Sequence, residues 1–203
     1  HELLLIEDVC QANGGKFEGL PLGSIGDAAV FSFQMNKTIT SGEGGLIAFK
    51  GESSWRRAWV QHNHGYQHEL PNGPDSYSSM ESSWGVGARM NELTAAMVLT
   101  QTTKIERIVF EMKRRQRYLY EQLRRLPDVQ FRPGTATEND IGSCLVLIWP
   151  DKARCETVVQ ETREMGVCTA SGFGNLALTE TGLHLYYNNL SLVNRRPLHP
   201  SGR

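Results

Sequence analysis

The chain has 203 residues, 39% of them hydrophobic and 21% charged, enough for one large domain or two small ones with a sizeable core. Lys and Arg total 21 against 22 Asp and Glu, and the resulting net charge of −1 argues against a dedicated nucleic-acid binder, whose footprint is basic. No apolar run approaches the ~20 residues that cross a bilayer, and the composition excludes a disordered chain, a collagen and a coiled coil.

Residues 3–8 form a short apolar run ending in Glu7 and Asp8, which predicts a buried parallel strand whose carboxyl end meets a site. Residues 16–23 read as an extended excursion with turns. Residues 28–33 and 46–49 predict a second and a third strand, the latter after Gly44-Gly45. A helix is expected over 53–62, capped by Ser53 or Ser54. Residues 65–87 are rich in Gly, Pro, Ser and Asn, with a turn signal at 71–75, and loops this long are usually functional or mobile.

Asn91 then caps a helix with Leu93, Ala96 and Met97 on one face. The pattern runs on through Ile105, Ile108, Val109, Met112, Leu119, Leu123 and Leu126, as one long helix or two in tandem ended by Pro127. Its many Lys and Arg read as a solvated face. A linker is expected at 133–140. After it come a strand over 144–149, a helix over 151–165 with Cys155, Val158, Val159 and Met165 on one face, and a strand over 167–170. This divides the chain into residues 1–126 and a small α/β domain over 127–203. Cys10, Cys144, Cys155 and Cys168 contain no Cys-x-x-Cys pair and read as reduced thiols of a cytoplasmic protein. The chain enters a core strand directly after His1 and stops without a closing element, so an internal piece of a longer protein is expected.

The densest chemistry lies in residues 31–45, where Lys37 follows a buried strand amid small, hydroxylated residues and Gly42, Gly44 and Gly45. A desolvated lysine loses its charge readily, and its neutral amine can form a Schiff base. Asp8 ends another strand, where ligands of open α/β sheets bind, and a carboxylate there needs a cationic partner. A protonated pyridine nitrogen is one such partner. With Ser32 close by for a phosphate, these are the parts of a pyridoxal phosphate site.

Residues 6–14 (Ile-Glu-Asp-Val-Cys-Gln-Ala-Asn-Gly), 23–27 (Gly-Ser-Ile-Gly-Asp), Phe31-Ser32-Phe33 with Lys37, Gly42-Glu43-Gly44-Gly45 and Arg89-Met90-Asn91-Glu92 strongly resemble the DegT/DnrJ/EryC1/StrS family of sugar and cyclitol aminotransferases. The resemblance implies part of a fold-type-I aminotransferase: a large α/β domain with a mainly parallel sheet, a small C-terminal α/β domain, and a homodimer with shared sites. It makes Lys37 the Schiff-base lysine, faces Asp8 to the pyridine nitrogen, sets Gln11 near the 3-hydroxyl and Ser32 on the phosphate. The implied reaction is a ping-pong transamination of a keto-sugar or keto-cyclitol, with glutamate or glutamine as donor and pyridoxal 5′-phosphate as cofactor. His64, Tyr186 and Asn188 are candidate substrate contacts. Gly87-Ala88 stands where many members have Asn-Tyr, and Gln34-Met35 where many have His-Pro. The family's upstream half, with its phosphate loop and ring-stacking aromatic, is expected to precede His1.

Three other readings compete. His62, His64 and His68, beside Glu69, have a spacing open to metal ligation and a hydrolase. Cys10 with a histidine is a candidate thiol nucleophile. A truncated, non-catalytic piece that dimerises or regulates is the third.

Overall fold

The computed structural model describes residues 3–66, 84–167 and 193–194. In chain order these form β1 (Ile6–Asp8), β2 (Lys16–Phe17), β3 (Leu20–Pro21), β4 (Ala28–Ser32), β5 (Gly45–Phe49), α1 (Glu52–His62), α2 (Glu92–Thr102), α3 (Ile105–Leu123), β6 (Gln130–Phe131), β7 (Leu147–Ile148) and α4 (Lys152–Glu164). The chain divides into two compact units, His1–Arg125 with Phe131–Val146, and Leu126–Gln130 with Leu147–Arg203.

The first unit is built on a three-stranded sheet in the order β1–β4–β5. β1 and β4 run parallel, with Ile6 opposite Ala28 and Asp8 opposite Val30. Parallel neighbours need a long connection, and residues 9–27 provide it, with the β2–β3 hairpin inside it. β5 returns antiparallel to β4, so that Ser32 faces Gly45 at one end and Ala28 faces Phe49 at the other.

Strand burial departs from the sequence expectation. Pairing covers only the last part of the run 3–8, and Leu3 and Leu4 are 79% and 86% exposed. Among the described residues β1 is an edge strand, so β4 alone flanks it, and an apolar sequence cannot bury a face that nothing described covers. Leu46 and Ile47 of β5 are likewise exposed. The core lies at the end of β4: Phe33, Ile39 and Val98 are buried together, with Phe31, Met90, Ile105 and Ile108 packed against them.

The helices show where caps and faces fall. Gly51, rather than Ser53 or Ser54, precedes α1 and makes no side-chain cap. Asn91 caps α2 as expected, its Oδ1 accepting the Thr94 N–H at 2.9 Å. Of the α2 residues Val98 is the one buried, while Leu93 on the expected face is 81% exposed. The long periodic run is two helices, because Thr102 and Thr103 turn their hydroxyls back onto the carbonyls of Leu99 and Thr100 at the end of α2. α3 ends at Leu123, ahead of Pro127.

Residues 133–140 are fastened to α3 rather than hanging as a linker. The buried Gln116 donates to Asp140 Oδ2 and to the Cys144 carbonyl, both at 2.8 Å, and Asp140 also accepts the Ala136 and Gly142 N–H groups. In the second unit the strand expected over 144–149 is only Leu147–Ile148. Asp151 caps α4 by accepting the Arg154 N–H at 2.8 Å, and Met165 on the expected apolar face is exposed. Of the strand expected over 167–170, Val167 is exposed and outside any strand, while residues 168–170, with Cys168, and the turn at 71–75 lie outside the described residues.

Glu7 fixes the loop that leads into β4. Its carboxylate accepts three backbone N–H groups, from Gly23 at 2.7 Å, Ile25 at 2.8 Å and Gly26 at 2.6 Å. The Gly26 and Gly23 bonds hold its carboxyl below the ordinary value of 4.5, against partial desolvation. A carboxyl whose pKa is depressed on folding contributes stability that is present above the unfolded value and lost as pH falls through the folded one. Thermal unfolding should therefore show the wild-type melting temperature dropping below pH 4.5, with a shallower drop in Glu7→Gln, which is the less stable protein at pH 7. Loss of the α2 cap in Asn91→Ala is expected to cost about 1 kcal/mol in the same measurement.

Candidate active site

The parallel register brings the carboxyl ends of β1 and β4 side by side, the position at which open α/β sheets bind ligands. Asp8 is the last residue of β1 and lies opposite Val30; Ser32 ends β4 two residues further on. Lys37 follows in the tight turn after β4. Gln34 shapes that turn: its carbonyl accepts the Lys37 N–H at 3.0 Å and its side-chain oxygen accepts the Asn36 N–H at 2.8 Å. The return to β5 is pinned by Thr40 Oγ1 and Ser41 N–H, each 3.0 Å from the Phe33 carbonyl, and by the buried Ile39. A buried anchor on each side of an exposed turn leaves little freedom for the Lys37 backbone.

Asp8 is exposed and its Oδ1 accepts the Cys10 N–H at 3.1 Å. The Cys10 thiol first, then the Cys10 backbone, hold the Asp8 carboxyl below its ordinary range, and the charge of Lys37 acts in the same direction. The same contacts push the Cys10 thiol up, its bond to Asp8 first and burial next, while Lys37 pulls it down. Lys37 is therefore near enough to be felt at both groups, yet among the described residues it closes no ion pair with Asp8. Asp8 ends β1 and Lys37 follows β4, at the same end of the sheet. A raised thiol pKa opposes the nucleophile reading of Cys10, because the thiolate is the reactive form.

Ser32 is half-buried, with its Oγ 3.4 Å from the Gln34 N–H, and Gln11 is exposed on the turn after β1. His64 has a φ of +57° and its N–H donates to the Val86 carbonyl at 3.2 Å; among the described contacts none joins it to Asp8, Ser32 or Lys37. Its ring covers Gly87, where a Cβ would come within 2.5 Å of His64 Cε1, so a larger residue there would displace the ring. Tyr186 and Asn188 lie outside the described residues, as do His68 and Glu69. His62 Nδ1 donates to the Trp59 carbonyl at 2.5 Å, and among the described residues no group of three or more His, Cys, Asp or Glu is placed to hold a metal. No finding favours the hydrolase or the non-catalytic fragment. A cavity of about 190 Å³ lined by Gly23, Ser24, Ala28, Phe49 and Lys50 involves the opposite ends of β4 and β5 from Ser32 and Gly45.

Two polar residues gain roles that their sequence context does not announce. Glu7 reads as the first of two strand-end acids, and Asn13 stands in the sequence only as one residue of the segment 6–14. In the structure Glu7 holds the loop described above and Asn13 is buried against Ser32. The electrostatic arrangement has a direct consequence for Cys10. Alkylation by iodoacetamide at neutral pH, followed by mass spectrometry, should be slow at Cys10, severalfold faster in Asp8→Asn, and slower still in Lys37→Gln.

Known proteins share this architecture. The sequence profile of the DegT/DnrJ/EryC1/StrS aminotransferase family matches residues 1–194. A putative L-glutamine:3-amino-2,3-dideoxy-scyllo-inosose aminotransferase of Streptoalloteichus tenebrarius is 33% identical over 113 residues, 56% of this chain and 26% of that protein. GDP-perosamine synthase of Caulobacter vibrioides is 31% identical over 136 residues, 67% of this chain and 35% of its own length. The chain thus spans about a quarter to a third of these curated relatives. Among solved structures, the aminotransferase from Psychrobacter cryohalolentis matches with a TM-score of 0.71 at 22% identity, over 98% of this chain and 53% of that one. The E. coli GDP-4-keto-6-deoxy-D-mannose-3-dehydratase, solved with bound hydrated PLP, gives 0.71 at 21% identity, over 90% and 50%. These likenesses establish the fold as part of the fold-type-I aminotransferase architecture, α/β with a mixed sheet. The chain belongs to the DegT/DnrJ/EryC1/StrS aminotransferase family.

Proposed function

We propose that the protein containing this chain is a pyridoxal 5′-phosphate-dependent aminotransferase of a keto-sugar or keto-cyclitol. The observation that carries this is the parallel register of β1 and β4, which sets Asp8 and Ser32 at the same end of the sheet with Lys37 in the turn that follows β4. Their chemistry fits the cofactor: a carboxylate for a ring nitrogen and an amine for an aldehyde.

When bound, pyridoxal phosphate supplies an aldehyde that takes up an amino group and a protonated ring that draws electrons from the substrate carbon. Asp8, held ionised by Cys10, would hold the ring nitrogen and favour its protonated form. Lys37 Nζ would be the amine that holds the aldehyde group and, when free, the base that holds or passes a proton at the reacting carbon. The Ser32 hydroxyl would hold the phosphate, and the Gln11 amide would hold the ring hydroxyl. His64, Tyr186 and Asn188 are assigned to the substrate side.

Glutamine or glutamate is the amino donor in this reading, supported by the L-glutamine named in the Streptoalloteichus relative. The first part of the chain, to residue 126, belongs to the large cofactor-binding domain and residues 127–203 to the small domain, within a cytoplasmic homodimer with shared sites. Among the described residues no helix is long and apolar enough to cross a membrane.

The test uses the full-length protein. Borohydride reduction after addition of pyridoxal phosphate, followed by peptide mapping, should place the pyridoxyl label on Lys37. Lys37→Ala should lose the label and about 10²–10⁴-fold in kcat. A label on another lysine, or none, overturns the assignment.

A further inference from the structure

Asn13 is only 2% exposed, and no role in the proposed chemistry has fallen to it so far. The main-chain ladder between β1 and β4 makes its last bond from the Val9 N–H to the Val30 carbonyl, at 2.9 Å. Carbonyls two residues apart on a strand face the same neighbour, so the Ser32 carbonyl faces the line along which β1 would continue. The chain has left that line, turning through the Ala12 N–H to Val9 O and Gly15 N–H to Ala12 O bonds, both 2.9 Å. Asn13 Nδ2 donates to the Ser32 carbonyl in its place, at 2.9 Å.

The turn that carries Asn13 is wedged. Gly14, at φ +84°, lies so close to α3 that a Cβ would come within 2.9 Å of Ile105 Cγ1. A Cβ on Gly15 would come within 2.8 Å of Leu22 Cδ1. The amide orientation follows from chemistry, because exchanging its ends would set oxygen against oxygen at Ser32. In this orientation Oδ1 is buried with no hydrogen-bond partner among the described residues. A buried acceptor without a donor is destabilising, so a residue present for packing alone would be apolar.

We propose that Asn13 is a positioning residue: its amide extends the β1–β4 ladder by one side-chain bond and thereby fixes the end of β4, holding the Ser32 hydroxyl where the cofactor phosphate is bound. This rests on the reading of Ser32 as the phosphate contact. Asn13 acts through Ser32, so it affects the phosphate and leaves the ring contacts of Asp8 and Lys37 alone.

The experiment compares two probes in the full-length protein, pyridoxal 5′-phosphate and phosphate-free pyridoxal, with affinities read from absorbance titrations. Asn13→Leu removes the bond together with the unpartnered oxygen and keeps the branched shape of the side chain; Asn13→Ala, which adds no bulk, is the second variant. Both should lose about tenfold in affinity for pyridoxal phosphate, as expected for one buried hydrogen bond, with affinity for pyridoxal unchanged. In a Ser32→Ala background, Asn13→Leu should cause no further loss. Equal losses for both probes, no loss for either, or full additivity with Ser32→Ala would overturn the proposal while leaving the cofactor assignment intact. A wild-type protein that binds pyridoxal phosphate no more tightly than pyridoxal would overturn the Ser32 reading and this proposal together.

Discussion

The site depends on the parallel pairing of two short strands. With Asp8 opposite Val30, the β1 carboxylate emerges beside the end of β4, and the turn after β4 brings Lys37 to the same end of the sheet. A shift of one residue would send Asp8 to the other face, since strand side chains alternate. The register is guarded from both ends. At the entry to β4, Glu7 gathers the amides of Gly23, Ile25 and Gly26, and the Asp27 carboxylate accepts the Leu5 N–H at 2.9 Å. At the exit, Val9 and Asn13 bond to the carbonyls of Val30 and Ser32. The placement of Asp8 and Lys37 thus rests on hydrogen bonds to the strand backbones and on the buried anchors Phe33 and Ile39.

The Lys37 turn shows the same economy. Many members of the family carry His-Pro where this chain has Gln34-Met35, and Gln34 closes the turn with its carbonyl and its side-chain oxygen. Proline restricts a turn through its ring; here hydrogen bonds do that work. At Gly87 the His64 ring lies where a Cβ would stand, so a larger residue there would come with a different ring position.

What was legible in the sequence follows from local chemistry. The strand-end acid at Asp8, the lysine after a strand and the cap at Asn91 all depend on neighbours a few residues away, and these positions agree with the structure. Burial was misjudged where it depends on partners far along the chain. Leu3 to Ile6 and Leu93 are apolar and exposed because no described element covers them, and composition alone does not reveal that. The roles of Glu7 and Asn13 were hidden for the same reason: their partners lie sixteen and nineteen residues away, across the sheet. The periodicity runs unbroken through Thr102–Thr103, and the break between α2 and α3 comes from the threonine hydroxyls there.

The central claim is that Asp8 sits against the ring nitrogen of a cofactor bound to Lys37. The most direct measurement is the ¹⁵N chemical shift of ring-labelled pyridoxal phosphate bound to the full-length protein, in wild type and in Asp8→Ala. The account predicts a protonated ring nitrogen in the wild type and an unprotonated one in the variant. The same shift in both proteins would contradict it.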